Sequence, residues 1–249
     1  MKISIVTVVF NARHTIEQSI TSVLTQKNCD VEHVIVDGGS TDGTLELIRS
    51  QATDRQMVLS EPDSGIYDAL NKGFGMATGE VVGILHADDC FKDEFVLSRV
   101  RTVFSSNNPD YVYGDIEMVD ANERVVRYWR AGALGDGKIK SSQIPHPALF
   151  LRHDLIKKLG VPFDTSYKIS GDLKQQLIIA NKIGAKGMYL ESPLVRMRIG
   201  GTSTKNFAAY LAGWRESRRA WNEVEGKGGT AFVVKKVASK LKGLRKSLN

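Results

Sequence analysis

VVGILHADDC, residues 81–90, runs apolar as far as Leu85 and then meets His86, Asp88 and Asp89. A run with no polar member suits a strand buried on both faces of a parallel sheet. Ligands of open parallel sheets bind beyond the carboxyl ends of the strands, so this pair of carboxylates is placed for a ligand. The pattern recurs upstream. ISIVTVV (Ile3–Val9), EHVIVD (Glu32–Asp37) and MVLS (Met57–Ser60) read as strands, with Asp37 ending the second and Asp63 just beyond the third. Between them, apolar residues fall at helical spacing: Ile16, Ile20, Val23 and Leu24; Leu45–Ser50; Ile66, Ala69, Leu70, Gly73, Phe74 and Ala77. Val96, Val100, Val103 and Phe104 mark a further helix, and Thr15 and Gln18 are spaced as a capping box. Repeated β-α units predict an α/β fold, its mostly parallel central sheet covered by helices.

Four acids on one sheet edge repel each other unless a cation or hydrogen-bond donors sit among them. Mg²⁺ or Mn²⁺, held by one or two carboxylates and by substrate phosphates, answers that need. Taken alone, adjacent aspartates also read as a helix cap or a solvated turn. No GxGxxG follows the first strand and no GxxxxGK[S/T] occurs, which argues against nicotinamide cofactors and P-loop nucleotide hydrolysis.

The rhythm changes after Pro109. DYVYGDIEMVD (110–120) and ERVVRYW (123–129) are expected as shorter, more exposed strands, and HPALFL (146–151) as another. A helix is expected over Asp172–Ile183, an extended segment over 187–198 and a helix near Phe207–Val224, with EGKGGT (225–230) as a linker.

A chain of 249 residues is long enough for one large domain. Its 42% hydrophobic and 25% charged content is ordinary for a soluble globular protein. The N-terminus is strand-like rather than signal-like, and no run of about 18 apolar residues is present. Cys29 and Cys90 form no CxxC. The expectation is a reduced, cytoplasmic protein. From Gly226 onward the chain carries Lys227, Lys235, Lys236, Lys240, Lys242, Arg245 and Lys246 and no acid, which exceeds the whole net charge of +6. Val234, Val237, Leu241, Leu244 and Leu248 lie near helical spacing among them. Residues 226–249 thus read as a basic amphipathic tail, either solvated or docked on an anionic membrane surface at the inner face of the cytoplasmic membrane. Phe232 is the tail's lone aromatic, so nucleic acid is not the expected partner.

SIVTVVFNARHTIEQSITSVLTQ, VIVDGGSTDGT, SEPDSGIYDALNKGFGMATGEVVGILHADD and SGDLKQQL, in that order and spacing over about residues 1–205, resemble family 2 glycosyltransferases. They are closest to the bacterial enzymes of exopolysaccharide, capsule and O-antigen synthesis. The resemblance implies the GT-A fold, with a nucleotide-sugar half over about 1–110 and an acceptor half over about 111–225. It implies inverting transfer from a nucleotide sugar, UDP favoured, to a lipid-linked or oligosaccharide acceptor. By the match, Val8, Phe10 and Asn11 line the base pocket, with Phe10 stacking on the base and Asp37 hydrogen-bonding it. Asp63, Asn71, Lys72, His86 and Asp89 join the donor side, and Asp88 is the metal aspartate. The match is broken at three places: Gly38 stands where the family has a second acid, Leu70 where it has an arginine, and His86 where it has the first acid of DADD.

Asp172 matches the family's catalytic base, the carboxylate that takes the acceptor's proton. Asp172 and Gln175 are also spaced as a capping box, and both roles can coexist. His146, between two prolines, reads equally as a structural histidine or as an acceptor or phosphate contact. Gly200, Gly201 and Ser203 match a lid loop near the donor diphosphate, or form a plain turn. Two other readings stay open: a sugar nucleotidyltransferase, which the absence of a glycine-rich, basic N-terminal loop disfavours, and an inactive transferase-fold scaffold at the membrane.

Overall fold

The computed structural model describes residues 1–141, 143–200 and 207–246, with backbone alone at 207 and 240–246. Four β-α units come first: β1 (Lys2–Val9), α1 (Ile16–Leu24), β2 (Asp30–Asp37), α2 (Thr44–Ser50), β3 (Gln56–Ser60), α3 (Ile66–Met76), β4 (Val81–Ile84), then the two-residue β5 (Cys90–Phe91) and α4 (Val96–Asn107). β3, β2, β1 and β4 lie side by side and parallel. Side chains alternate across a strand. Val6, Val8, Val34 and Val36 therefore pack towards Leu70 and Phe74 of α3, while Val9 and Ile35 pack on the other face with Ile16 and Ile20 of α1 and Ile48 of α2. Gly73 lets α3 lie close to the sheet, since a Cβ there would overlap Val6 Cγ1.

The second half continues the same sheet through β6 (Tyr111–Val119), β7 (Val125–Trp129), β8 (Leu149–Arg152), α5 (His153–Leu159), α6 (Gly171–Leu177), a π-helical segment (Ile178–Ile183), β9 (Gly187–Arg198), α7 (Phe207–Glu225) and α8 (Gly229–Lys246). Strand order is β3-β2-β1-β4-β8-β6-β9-β5, with β7 beside β6. The chain is an α/β protein in which β1 to β4 pair in parallel with one another and the remaining pairings are mixed.

Several expectations change. β6 is almost entirely buried rather than short and exposed, because β8, β7 and β9 all pair with it. HPALFL opens as a 3-10 turn at His146–Ala148, where Pro147 lacks the N–H that a strand ladder needs, and only then becomes β8. The Thr15–Gln18 capping box does not form: Thr15 Oγ1 donates to Ala12 O, and Gln18 reaches Cys90 and Arg198 instead. EGKGGT is a tight corner rather than a linker. Gly226 and Gly228 adopt φ of +83° and +90° there, and Asn222 Oδ1 accepts from Gly229 N at 2.9 Å.

Candidate functional site

The register of the parallel strands sets Val9, Asp37 and Ser60 side by side at one edge. Asp37 is fully buried and accepts from Ser60 Oγ at 2.7 Å, Ser40 N at 3.2 Å and Gly39 N at 3.3 Å. Its carboxylate holds the Gly38–Ser40 loop in shape. Phe10 follows β1 and is 63% exposed. Its ring passes beside Gly38. Asn11, at φ +50°, fixes that turn by accepting from Thr41 N and donating its own N–H to Ser40 Oγ. Asp63 accepts from Gly65 N at 2.8 Å, and its other oxygen lies against Gly38. A flat exposed aromatic beside a rigid polar loop is suited to a planar heterocycle. Val8, by contrast, belongs to the core with Val36 and Tyr67.

Two donor-side expectations are met by other partners. The Asn71 amide clasps the backbone of Phe163, donating to its O at 2.8 Å and accepting from its N at 2.9 Å. Lys72 Nζ bonds Pro62 O and pairs with Glu61 and Asp68. Both side chains are engaged within the protein, and both remain half-buried.

The end of β4 delivers His86, Asp88 and Asp89. Burial, with the charge of Asp88 beside it, pushes the Asp89 carboxyl well up, and Arg198 N donates to it at 3.1 Å. Asp88 is only half-buried, and no described residue donates a hydrogen bond to its carboxylate. A lone open carboxylate beside a crowded one fits a cation that takes its remaining ligands from substrate phosphates. No cluster of three or more His, Cys, Asp or Glu with metal-site geometry occurs among the described residues.

Asp172 sits in the first turn of α6, with 8% of its surface exposed. Ser170 is the N-cap, so the Asp172–Gln175 capping box does not form, and Gln175 Nε2 donates instead to Pro162 O. Asp172 Oδ2 receives Gln143 Nε2 and His146 Nδ1, the latter at 3.3 Å. Oδ1 has the Tyr67 hydroxyl at 3.5 Å. Burial alone would raise this carboxyl. The hydrogen bond and charge of His146, together with the Lys236 ammonium of α8, instead hold it below the usual carboxylate range. His146 Nε2 in turn meets His86 Nε2 at 2.6 Å, the rings crossing at 66°. Burial first, and then His146, pushes the His86 imidazole down to about 3, so it stays neutral.

Tyr67 and Gln143 carry no signal in the sequence. Tyr67 lies within an ordinary helical pattern, and its role emerges only where Gly171, lacking a Cβ, lets α6 settle onto its ring and donate Gly171 N to its hydroxyl at 2.8 Å. Gly200 is exposed at φ +104°, while Gly201 and Ser203 lie outside the described residues.

The family model "Glycosyl transferase family 2" matches residues 4–163. A PGL/p-HBAD biosynthesis glycosyltransferase of Mycobacterium bovis is 33% identical over 173 residues, covering 68% of this chain and 66% of that protein. An uncharacterized glycosyltransferase of Nostoc sp. is 36% identical over 129 residues, 51% of this chain and 40% of its own. Among solved structures, Staphylococcus aureus TarS 1–349 in complex with UDP-GlcNAc superposes with a TM-score of 0.69 at 17% identity, over 88% of this chain and 65% of that one. A mannosyltransferase from Pyrobaculum calidifontis, in complex with GDP-Man and Mn²⁺, gives 0.68 at 18% identity, over 94% and 68%. At these identities the structural likeness speaks for the GT-A fold.

Proposed function

Because the chain belongs to glycosyl transferase family 2, we propose that it moves a sugar, with inversion, from a nucleotide-sugar donor to an acceptor hydroxyl, and that Asp172 is the base. One observation carries this reading. A buried carboxylate held below the usual carboxylate range is tied through His146 to His86, two residues before the open carboxylate of Asp88. Phe10, the Asp37-braced loop and Asp63 take the nucleoside; Asp88 and His86 face the diphosphate and sugar. The acceptor oxygen attacks the anomeric carbon, its proton passes to Asp172, and the bond to the diphosphate oxygen breaks with its electron pair. A divalent cation, Mg²⁺ or Mn²⁺, held in part by Asp88 would supply Lewis-acid charge to the leaving group. UDP is the favoured nucleotide, and the acceptor is a lipid-linked or saccharide hydroxyl of a bacterial surface polysaccharide.

The test is thermal shift of the purified protein against UDP, GDP and dTDP, with and without Mn²⁺. A ligand that binds only the folded state raises Tm by mass action. One nucleotide should raise Tm only with metal, and Asp88→Ala should abolish that rise. A flat response in every case would remove the metal–diphosphate assignment.

The membrane-facing role also belongs to this proposal. No described helix is long and apolar enough to cross a bilayer. On α8, exposed Val234 and Lys235 support surface docking at the inner leaflet, whereas Phe232 points into the core. Flotation with liposomes containing anionic lipid should weaken when Lys227, Lys235, Lys240 and Lys242 become Gln. Unchanged flotation would leave the tail without this role.

A further inference from the structure

We propose that His146 is a positioning residue for the base: braced from behind by His86, it pins Asp172 so that Oδ1 is the oxygen turned to the acceptor. This rests on the reading of Asp172 as the base.

The two carboxylate oxygens are treated differently. Oδ2 is engaged by Gln143 and by His146 Nδ1. Oδ1 meets the side chain of Tyr67, whose hydroxyl lies at 3.5 Å, the outer limit of a hydrogen bond, and the Leu173 backbone N–H also supports the carboxylate. A carboxylate on a flexible side chain rotates unless donors fix one of its oxygens, and catalysis is steep in that orientation. Two donors on Oδ2 leave the oxygen with the weaker contact for proton transfer.

His146 is itself well held. Its backbone forms a 3-10 turn between Pro145 and Pro147, whose rings restrict φ, and Ala148 N closes the turn onto Pro145 O at 3.0 Å. Its ring then bridges two elements, the start of α6 and the end of β4. Tautomers follow from the partners. The carboxylate can only accept, so Nδ1 of His146 carries a proton. The facing Nε2 atoms of His146 and His86 share a proton across 2.6 Å, which ties the two rings together. His86, standing where the family has an acid, thus buttresses the base from the donor side. The three side chains come from positions 86, 146 and 172, which only the fold brings together.

Two measurements on the full chain test this. In long-range ¹H–¹⁵N spectra of the protein labelled at its five histidines, His146 should keep a proton fixed on Nδ1, the nitrogen facing Asp172. Asp172→Ala should release His146 into a tautomer mixture. A mixture already present in the wild type, unchanged by Asp172→Ala, overturns the proposal without any substrate. The second measurement is diphosphate release from UDP-glucose, UDP-GlcNAc and GDP-mannose with Mn²⁺, water serving as acceptor. His146→Ala should lower kcat roughly 10- to 100-fold with donor KM within about twofold. His146→Asn, whose amide overlays Nδ1, should restore most of the loss. Wild-type kcat in His146→Ala, with Asp172→Asn inactive, overturns the positioning role alone. Wild-type turnover in Asp172→Asn overturns the base itself.

Discussion

A second acid at position 38 would have to push the Asp63 carboxylate aside. A Cβ there would already overlap Asp63 Oδ2 and approach the Phe10 ring. The departure from the family's paired acids is therefore matched by Asp63, which fills the same space from the next strand. Gly38→Asp should destabilise the fold by about 1–3 kcal/mol through overpacking and like-charge contact, read as a lower urea midpoint, and Asp63→Ala should recover part of it. Asp172→Asn should lower turnover about 10²- to 10⁴-fold, measured as diphosphate release. At this scale the sequence was informative about residues placed beside their own strand ends, as with Asp37, Asp63 and Asp88. It was silent where the partner is distant. Asn71 is claimed by Phe163, 92 residues away, and Tyr67 by the start of α6, more than a hundred residues on. No local spacing encodes either pairing.

Among the elements, α1 to α4 were legible because each covers a parallel strand and shows one apolar face. α8 was legible as a helix but misleading as a tail. It turns back along α7: Phe232 stacks on Trp221 with centroids 4.4 Å apart, and Lys236 Nζ donates to Ser217 Oγ at 3.1 Å. A basic amphipathic pattern records charge and spacing, not which apolar residue finds a partner. Phe232→Ala should cost about 3–5 kcal/mol, seen in chemical denaturation, so removal of residues 227–249 tests core stability as much as membrane binding. A second cross-element clamp is Glu32 on β2. Burial alone would raise its carboxyl, but bonds from Lys2, Ser4 and Thr78 bring it down to about 2 from 4.5. With the folded value below the unfolded one, the stabilisation is complete above about pH 4.5 and is lost as pH falls towards about 2. Glu32→Gln should flatten that limb of the stability–pH curve, followed by urea midpoints at stepped pH.

For the whole molecule, the first half of the sheet was readable as repeated β-α units, and the second was not. β6 was expected to be exposed, and β5, two residues long, carries no periodicity to find. What makes β6 central is the arrival of β8 and β9 from far along the chain. The cluster around Asp172 shares that origin, since His146 leads directly into β8 and Asp172 stands between β8 and β9.

β9 lies between β6 and β5, although both precede it in the chain. During synthesis, β6 and β5 leave the ribosome with hydrogen-bonding edges that have no neighbour until residues 187–198 emerge. Pairing over such separations is slow, and open strand edges invite association with other chains. Nascent chains stalled before Gly187 clears the exit tunnel should therefore show a protease-resistant β1–β4 region, a sensitive remainder and strong capture by chaperones. Chains stalled after Phe232 has emerged should resist protease throughout. The late arrival of β9 is thus the step on which productive biogenesis depends.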